Sequence, residues 1–437
     1  MRFCSLLLTF LLLTATVASA QKTPGRDGTF ALTNARIVTV TNGTIDNGTL
    51  VIEDGRIAAV GADVAVPADA EVIDCTDLSI YPGLIDSGTQ LGLVEVGSLS
   101  ETRDYREIGE LTPHMQALTA VNPNSVSIPV TRVNGVTSVI AEPEGGLLPG
   151  TAALIGLHGY TPEQMLLGGY EPVVLDYPST GRRGWWDDRS EEEIEKQAQE
   201  AIEKLNAVWD QAALYARIDS AHTADPDANR RPEYSPAMQA MVPVVRDTQP
   251  ILLKADASAD ITSALEWAAE RDLTDQIVLS GAEEGWRVAD AIAEAGVPVL
   301  VGPVLSTPSR DADRYDKPYA NAGLLHGAGV QVAIRTGESE NVRNLPYHAG
   351  FAAAYGLGKE AALRAVTIAP AQIFGVDDEV GSLEAGKRAN LFVATGDPFE
   401  TSTDIVHLFI DGYQIPLESR HTELYDEFLR RSPGVQK

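Results

Sequence analysis

Tyr81-Pro-Gly-Leu-Ile-Asp-Ser-Gly-Thr-Gln-Leu-Gly92 joins an apolar, β-prone lead-in to a short polar run. Leu78, Ile80, Leu84 and Ile85 predict a buried strand, and Asp86-Ser-Gly-Thr-Gln90 predicts its polar mouth. Such a strand is the expected opening of an α/β barrel, whose working side chains stand at the C-terminal strand ends.

Downstream of it helical and strand signals alternate, which predicts parallel β/α units. Gly135-Val-Thr-Ser-Val-Ile-Ala141 is the clearest early strand. A long helix is predicted from Ser190, with Glu193 completing a capping box and an apolar stripe of Ile194, Ala198, Ile202, Leu205, Val208, Trp209 and Ala212. Strands follow at 250–255, 276–280, 297–301 and 330–335, and helices at 259–271, 283–295, 318–327, 345–355 and 359–367. This spacing suits a TIM-type barrel. Two blocks of short strands flank it, one over 28–79 with turn signals at Asn42-Gly43, Asn47-Gly48 and Asp54-Gly55, the other over 380–412. Neither is long enough to close a core alone.

The residues also carry a family resemblance. Pro82-Gly-Leu-Ile-Asp86, Ala361-Ala-Leu-Arg-Ala-Val-Thr-Ile-Ala-Pro-Ala371 and Val380-Gly-Ser-Leu-Glu-Ala-Gly-Lys387 resemble segments of the amidohydrolase superfamily, and nearly all of the mature chain is similar to its exported, imidazolonepropionase-like members. The resemblance implies an α/β fold with a TIM-type (β/α)8 barrel over 80–379. It also implies a small β-sandwich domain built from both chain ends, 28–79 and 380–415, with a C-terminal helix or tail at 416–437. Asn390 stands where the second block usually has an acid.

The family chemistry is metal-activated water attacking a non-peptide C–N bond. In active members the first strand ends in His-x-His, later strands supply further imidazoles, and the last supplies an Asp that takes the water's proton. Those positions here hold Gly88, Gln90, Lys254, Ser280 and Gly337. Glycine offers no side chain, a glutamine amide is a weak ligand for zinc, and a lysine ammonium binds no metal unless deprotonated. Glu338 substitutes for the Asp only if the loop shifts by one residue. The expectation is an altered or inactive amidohydrolase without a cofactor, zinc or another divalent metal being required only if the family chemistry survives.

Lys254 and Glu338 are then the catalytic candidates. A buried lysine with a lowered pKa can act as a base or Schiff-base nucleophile. Against that stands a lysine simply paired with Glu142, Glu144 or Asp256. A carbamylated lysine bridging two metals, as in some relatives, would lack histidine partners. Gln90, Ser280, Arg343, Asn344 and His348 are the ligand-binding candidates, able to hold a carboxylate or amide. Asn344 also reads as a helix N-cap, with Pro346 in the first turn. The histidines are scattered, and only His158 and His348 follow predicted strands closely enough to watch.

Composition bounds the rest. With 62 acidic and 33 basic residues the formal charge is −29, a field that repels nucleic acid and anionic lipid and excludes both as partners. Such a surface suits high salt or an ordinary acidic secreted protein equally. Met1-Arg2, the apolar run Leu6 to Leu13 and Ala18-Ser-Ala20 predict an export signal over 1–20, hence a periplasmic or extracellular protein with no membrane association after cleavage. Cleavage would remove Cys4 and leave Cys75, expected to be a small buried strand residue. Gly145-Gly-Leu-Leu-Pro-Gly150 lacks the Lys-Ser/Thr of a phosphate loop, and Trp185-Trp186 beside Arg182-Arg183 reads as a groove for a sugar or peptide or, more simply, a plug under a loop. Two function classes stand: a residual or altered hydrolase, and a non-catalytic exported barrel that binds an unidentified small molecule or a partner protein, with a homo-oligomer left open. The chemistry favours the second.

Overall fold

The computed structural model describes residues 25–181 and 187–431. The export signal, Cys4, Arg182-Arg183 and Trp185-Trp186 lie outside those residues. The chain opens with β1 (Phe30–Val38), β2 (Thr44–Glu53), β3 (Arg56–Gly61), β4 (Glu71–Asp74) and β5 (Ser79–Pro82). Nine strands follow: β6 (Leu84–Thr89), β7 (Val136–Ala141), β8 (Gly150–Thr151), β9 (Ala153–Gly156), β10 (Val173–Asp176), β11 (Ile251–Ala255), β12 (Ile277–Gly281), β13 (Val299–Val301) and β14 (Val332–Ile334). Three more, β15 (Leu391–Ala394), β16 (Ile405–Ile410) and β17 (Tyr413–Gln414), close the series.

The two terminal blocks form one mixed sheet of eight strands in the order β17-β16-β15-β5-β1-β2-β3, with β4 paired to β1. The join is β5, parallel to β1 and antiparallel to β15, so strands from opposite ends of the sequence complete each other's hydrogen bonding. Phe30, Leu32, Ile37, Leu50, Ile80, Leu391 and Phe409 pack its core, the Phe30 and Phe409 rings meeting edge-on at 5.2 Å. Cys75 is buried there, just past β4 rather than on a strand, and burial pushes its thiol up to about 11.

The middle of the chain forms a six-stranded sheet, β14-β13-β12-β11-β10-β8, parallel except at β8, and a three-stranded sheet, β6-β7-β9. Their facing strands β10 to β14 and β6, β7 are almost wholly buried, as expected of strands covered on both faces. The chain just past β14 is tied to β6: Gly337 N–H donates to the Gly88 carbonyl at 3.0 Å, and Gln90 N–H to the Glu338 carbonyl at 3.1 Å.

The long helix runs Glu191–Ala224 with the expected capping box at Ser190 and Glu193. Its stripe is buried except for Ile202, which is half-buried. The helix expected over 283–295 is instead a 3-10 turn, Gly285–Arg287, followed by an α-helix, Ala289–Ala295. Val288, between the two pieces, has a non-helical φ of −125° and ψ of 25°, and Asn321 Nδ2 donates to the carbonyls of Ala282 and Glu283 just ahead of the turn. Among the described residues no helix is long and apolar enough to cross a membrane.

Candidate functional site

The parallel register brings chemistry to one end of the central strands. Asp176, Lys254 and Ser280 stand side by side across β10, β11 and β12. Glu142 and Glu144 follow β7, Asp256 follows β11, and Glu283 follows β12. Arg335 follows β14 and points into the middle of the group.

Arg335 is 4 % exposed, and Glu142 is fully buried. One guanidinium nitrogen donates to Ser280 Oγ at 2.5 Å and another forms a salt bridge with Glu142 Oε1. The guanidinium lies against Gly88: a Cβ built there would stand 2.8 Å from Arg335 Nε and 2.9 Å from Cζ. Any side chain at position 88 would collide with it. Burial disfavours charge on Arg335, but Glu142, Asp256, Glu144 and Asp86 more than offset this and leave its pKa raised.

Lys254 makes ion pairs with Glu142 at 3.7 Å and Glu144 at 3.5 Å, the simple pairing that competed with a catalytic role. Burial opposes its charge, as does Arg335, yet Glu142, Glu144 and Asp176 prevail and its pKa is raised. A free-base lysine is therefore not what these neighbours favour. Gln90 donates to Glu144 Oε1 at 2.7 Å, so Gln90, Lys254 and Ser280 do converge.

The other candidates lie apart. Glu338 is exposed, and its side chain is outside the network. The Arg343 carbonyl accepts from Asn134 Nδ2 at 2.8 Å, near the start of β7 and thus toward the opposite strand ends. Asn344 precedes the helix Leu345–Ala352 with Pro346 in its first turn, but its side chain makes no capping bond. His348 is buried and accepts at Nδ1 from the N–H groups of Val304 and Leu305, at 3.2 and 3.4 Å, holding that loop; burial pushes its pKa down to about 4. His158 packs against Tyr413 of the terminal sheet, ring centroids 5.0 Å apart.

Several carboxyls at the strand ends hold protons unusually well. Burial, reinforced by the charges of Asp256, Glu144 and Glu142 and opposed by Lys254, lifts Asp176 to about 6. Burial and Asp256 lift Glu283 to about 7, and burial raises Asp256. Beneath them Asp86 is fully buried, accepting from Thr336 Oγ1 at 2.6 Å, Thr336 N–H at 3.1 Å and Gly88 N–H at 3.1 Å, with its pKa lifted by burial to about 7. Among the described residues no three His, Cys, Asp or Glu side chains are grouped so as to hold a metal ion. Arg335 was not a sequence candidate; its signal was a cation ending the apolar run Val332-Ala-Ile, opposite a glycine.

Residues 319–415 match the sequence model of the Amidohydrolase family. Imidazolonepropionase of Symbiobacterium thermophilum is 27 % identical over 387 residues, 80 % of this chain and 84 % of that protein. Imidazolonepropionase of Brucella anthropi is 43 % identical over 70 residues, and that match covers 14 % of this chain and 17 % of the relative. Imidazolonepropionase of Vibrio cholerae likewise matches over 19 % of its length, so the chain spans under a fifth of these two relatives. An amidohydrolase from Thermotoga maritima superposes with a TM-score of 0.77 at 23 % identity, over 89 % of this chain and 99 % of that one. An adenosine deaminase from Xanthomonas campestris with bound zinc superposes with a TM-score of 0.52 at 16 % identity, over 93 % and 98 % of the two chains. These likenesses concern the fold and imply a TIM barrel with a smaller domain.

Proposed function

We propose, on the premise that this chain belongs to the amidohydrolase superfamily as an imidazolonepropionase-like member, that it is a metal-free barrel which binds a small polar molecule and does not hydrolyse it. The barrel closes as (β/α)8 in this reading, and the terminal sheet is the small domain. One observation carries the proposal: the Arg335 guanidinium, bonded to Ser280 and Glu142, fills the space beside Gly88.

The donor set does not fit a divalent cation. Gly88 has no ligand atom, and Ser280 Oγ already accepts from a cation. Lys254 is held protonated by its acidic neighbours, and Arg335 places a second fixed positive charge at the same point. Two cations replace one, and they neutralise the carboxylates that a metal would otherwise bind.

What remains available to a ligand is the rim: Lys254, Glu144, Asp176, Asp256 and Glu283. Inside it, Glu142 Oε2 and Arg335 Nε are buried without a hydrogen-bond partner. Location outside the cytoplasm belongs to the same proposal and rests on the pattern of residues 1–20.

A second reading has its own support. Asp176 and Glu283 titrate near 6 and 7, the range useful to a general acid or base, which would suit a metal-free hydrolase. Two measurements decide between these readings: metal content after growth and refolding with zinc, and hydrolysis of cyclic and acyclic amides by the same samples. The proposal expects neither bound metal nor turnover. Turnover without metal that is abolished in both Asp176→Asn and Glu283→Gln would favour the second reading, and stoichiometric metal with turnover would refute both.

A further inference from the structure

A separate cavity of about 590 Å³ lies between the terminal sheet and the helix Lys359–Ala365. That volume is typical of small-molecule sites. It is on the N-terminal side of β6, whereas the Arg335 cluster lies off the C-terminal strand ends. Its construction follows from strand alternation. Arg36 and Val38 point to the cavity face of β1 while Ile37 between them is buried in the sheet core, and Ser79 and Tyr81 do the same on β5 around Ile80. The parallel register sets Arg36 beside Ser79. Leu363 and Phe399 complete an apolar wall with Val38 and Tyr81, and the Tyr81 ring is braced by stacking on Phe392 at 5.5 Å.

The charge of this lining runs against the molecule. The whole chain carries −29, yet the cavity is lined by the cations Arg36, Lys359 and Arg364 and the carboxylates Glu360 and Asp397, a net of one positive charge (three minus two). Lys359 is spent on Asp397 at 2.7 Å. Arg364 reaches only the Val40 carbonyl, at 3.3 Å, and among the described residues neither it nor Arg36 has a carboxylate in ion-pair contact. Two guanidinium groups without anionic partners over an aliphatic and aromatic wall are complementary to a single carboxylate on an apolar body.

We propose that this cavity is a binding site for an amphipathic monocarboxylate, such as a medium-chain aliphatic acid. Its carboxylate bridges Arg36 and Arg364, and its chain lies along Val38, Tyr81, Leu363 and Phe399. The site is independent of whether the strand-end cluster is catalytic.

Calorimetric titration of the full chain with octanoate, with octanol and with inorganic phosphate as comparison probes tests it. Octanoate is expected to bind saturably at one site, with octanol and phosphate each weaker by about tenfold or more, since each lacks one half of the recognition. The double variant Arg36→Gln/Arg364→Gln should lose about tenfold in octanoate affinity, whereas Lys254→Ala should leave it unchanged. Arg36 is exposed, so the single Arg36→Gln variant, with an unchanged urea midpoint, carries the test if the double variant does not fold. Octanol binding as tightly as octanoate, full affinity in the arginine variants, loss of affinity in Lys254→Ala, or no saturable octanoate binding up to about 10 mM would each overturn the proposal.

Discussion

Asp86 on β6 and Glu142 just past the neighbouring β7 are both fully buried carboxyls, yet their partners are of opposite kinds. Asp86 accepts from two backbone N–H groups and a hydroxyl, all neutral dipoles. Glu142 has a guanidinium and an ammonium. Asp86 therefore acts as a pin: its bonds to Thr336 fasten the opening strand to the chain beyond the last parallel one. Glu142 acts as a counter-ion that permits two cations to occupy the middle of the strand ends. A buried acid can serve architecture alone or set the electrostatics of a site, and its partners decide which.

The largest way to break this contrast is to remove Arg335. Arg335→Ala leaves Glu142 buried with only Lys254 nearby and should cost about 3–5 kcal/mol in urea unfolding. Arg335→Met combined with Glu142→Leu should recover most of that loss, because an apolar pair of similar volume carries no desolvation cost. A double variant as unstable as Arg335→Ala would mean that the pair matters for shape rather than charge.

Asp86→Ala comes next. It strips acceptors from Thr336 N–H and Gly88 N–H in a buried place and should destabilise by about 2–3 kcal/mol. Asp86→Asn keeps the Oδ1 acceptor and offers an N–H to the Thr336 hydroxyl, so its loss should be well under that of alanine. It also isolates a pH effect. The Asp86 pKa rises from 3.8 unfolded to about 7 folded, so the folded state holds the proton more tightly. Its contribution is fully present below the unfolded value and is lost as pH rises through about 7. The wild-type urea midpoint should therefore fall between pH 4 and 7 more steeply than that of Asp86→Asn. Parallel slopes for the two proteins would contradict the assignment.

The smallest effects sharpen the boundary of the cluster. Lys254→Met removes the second cation and should cost about 1 kcal/mol, while Glu338→Ala, at an exposed position outside the network, should change stability by less than about 0.5 kcal/mol. A larger loss for Glu338→Ala than for Lys254→Met would place the network in the wrong loop.

The scaffold was legible where local rules carry it. Alternating strand and helix signals predicted the strands β11 to β14, and Ser190 with Glu193 predicted the start of the long helix, whereas β10 was not predicted. The 283–295 segment is interrupted at Val288, whose φ of −125° and ψ of 25° are not helical, while Asn321 bonds the Glu283 carbonyl from a distant helix, a contact that no periodicity reveals. At the strand ends, the departures at Gly88, Gln90, Lys254 and Ser280 could be read one by one, and so could an acidic partner for Lys254. That Gly88 and Arg335 fit each other could not, since 247 positions separate them (335 minus 88) and only the fold makes them neighbours. The Arg36 and Arg364 cavity was hidden for the same reason, its walls coming from β1, β5 and a helix far along the chain.

Crystals grown with excess zinc and measured at the zinc absorption edge test the central claim most directly. The account predicts guanidinium density between Gly88, Ser280 and Glu142, and no anomalous peak within about 3 Å of Gln90, Lys254 or Ser280. A strong peak there, with the Arg335 side chain swung away from Glu142, would contradict it.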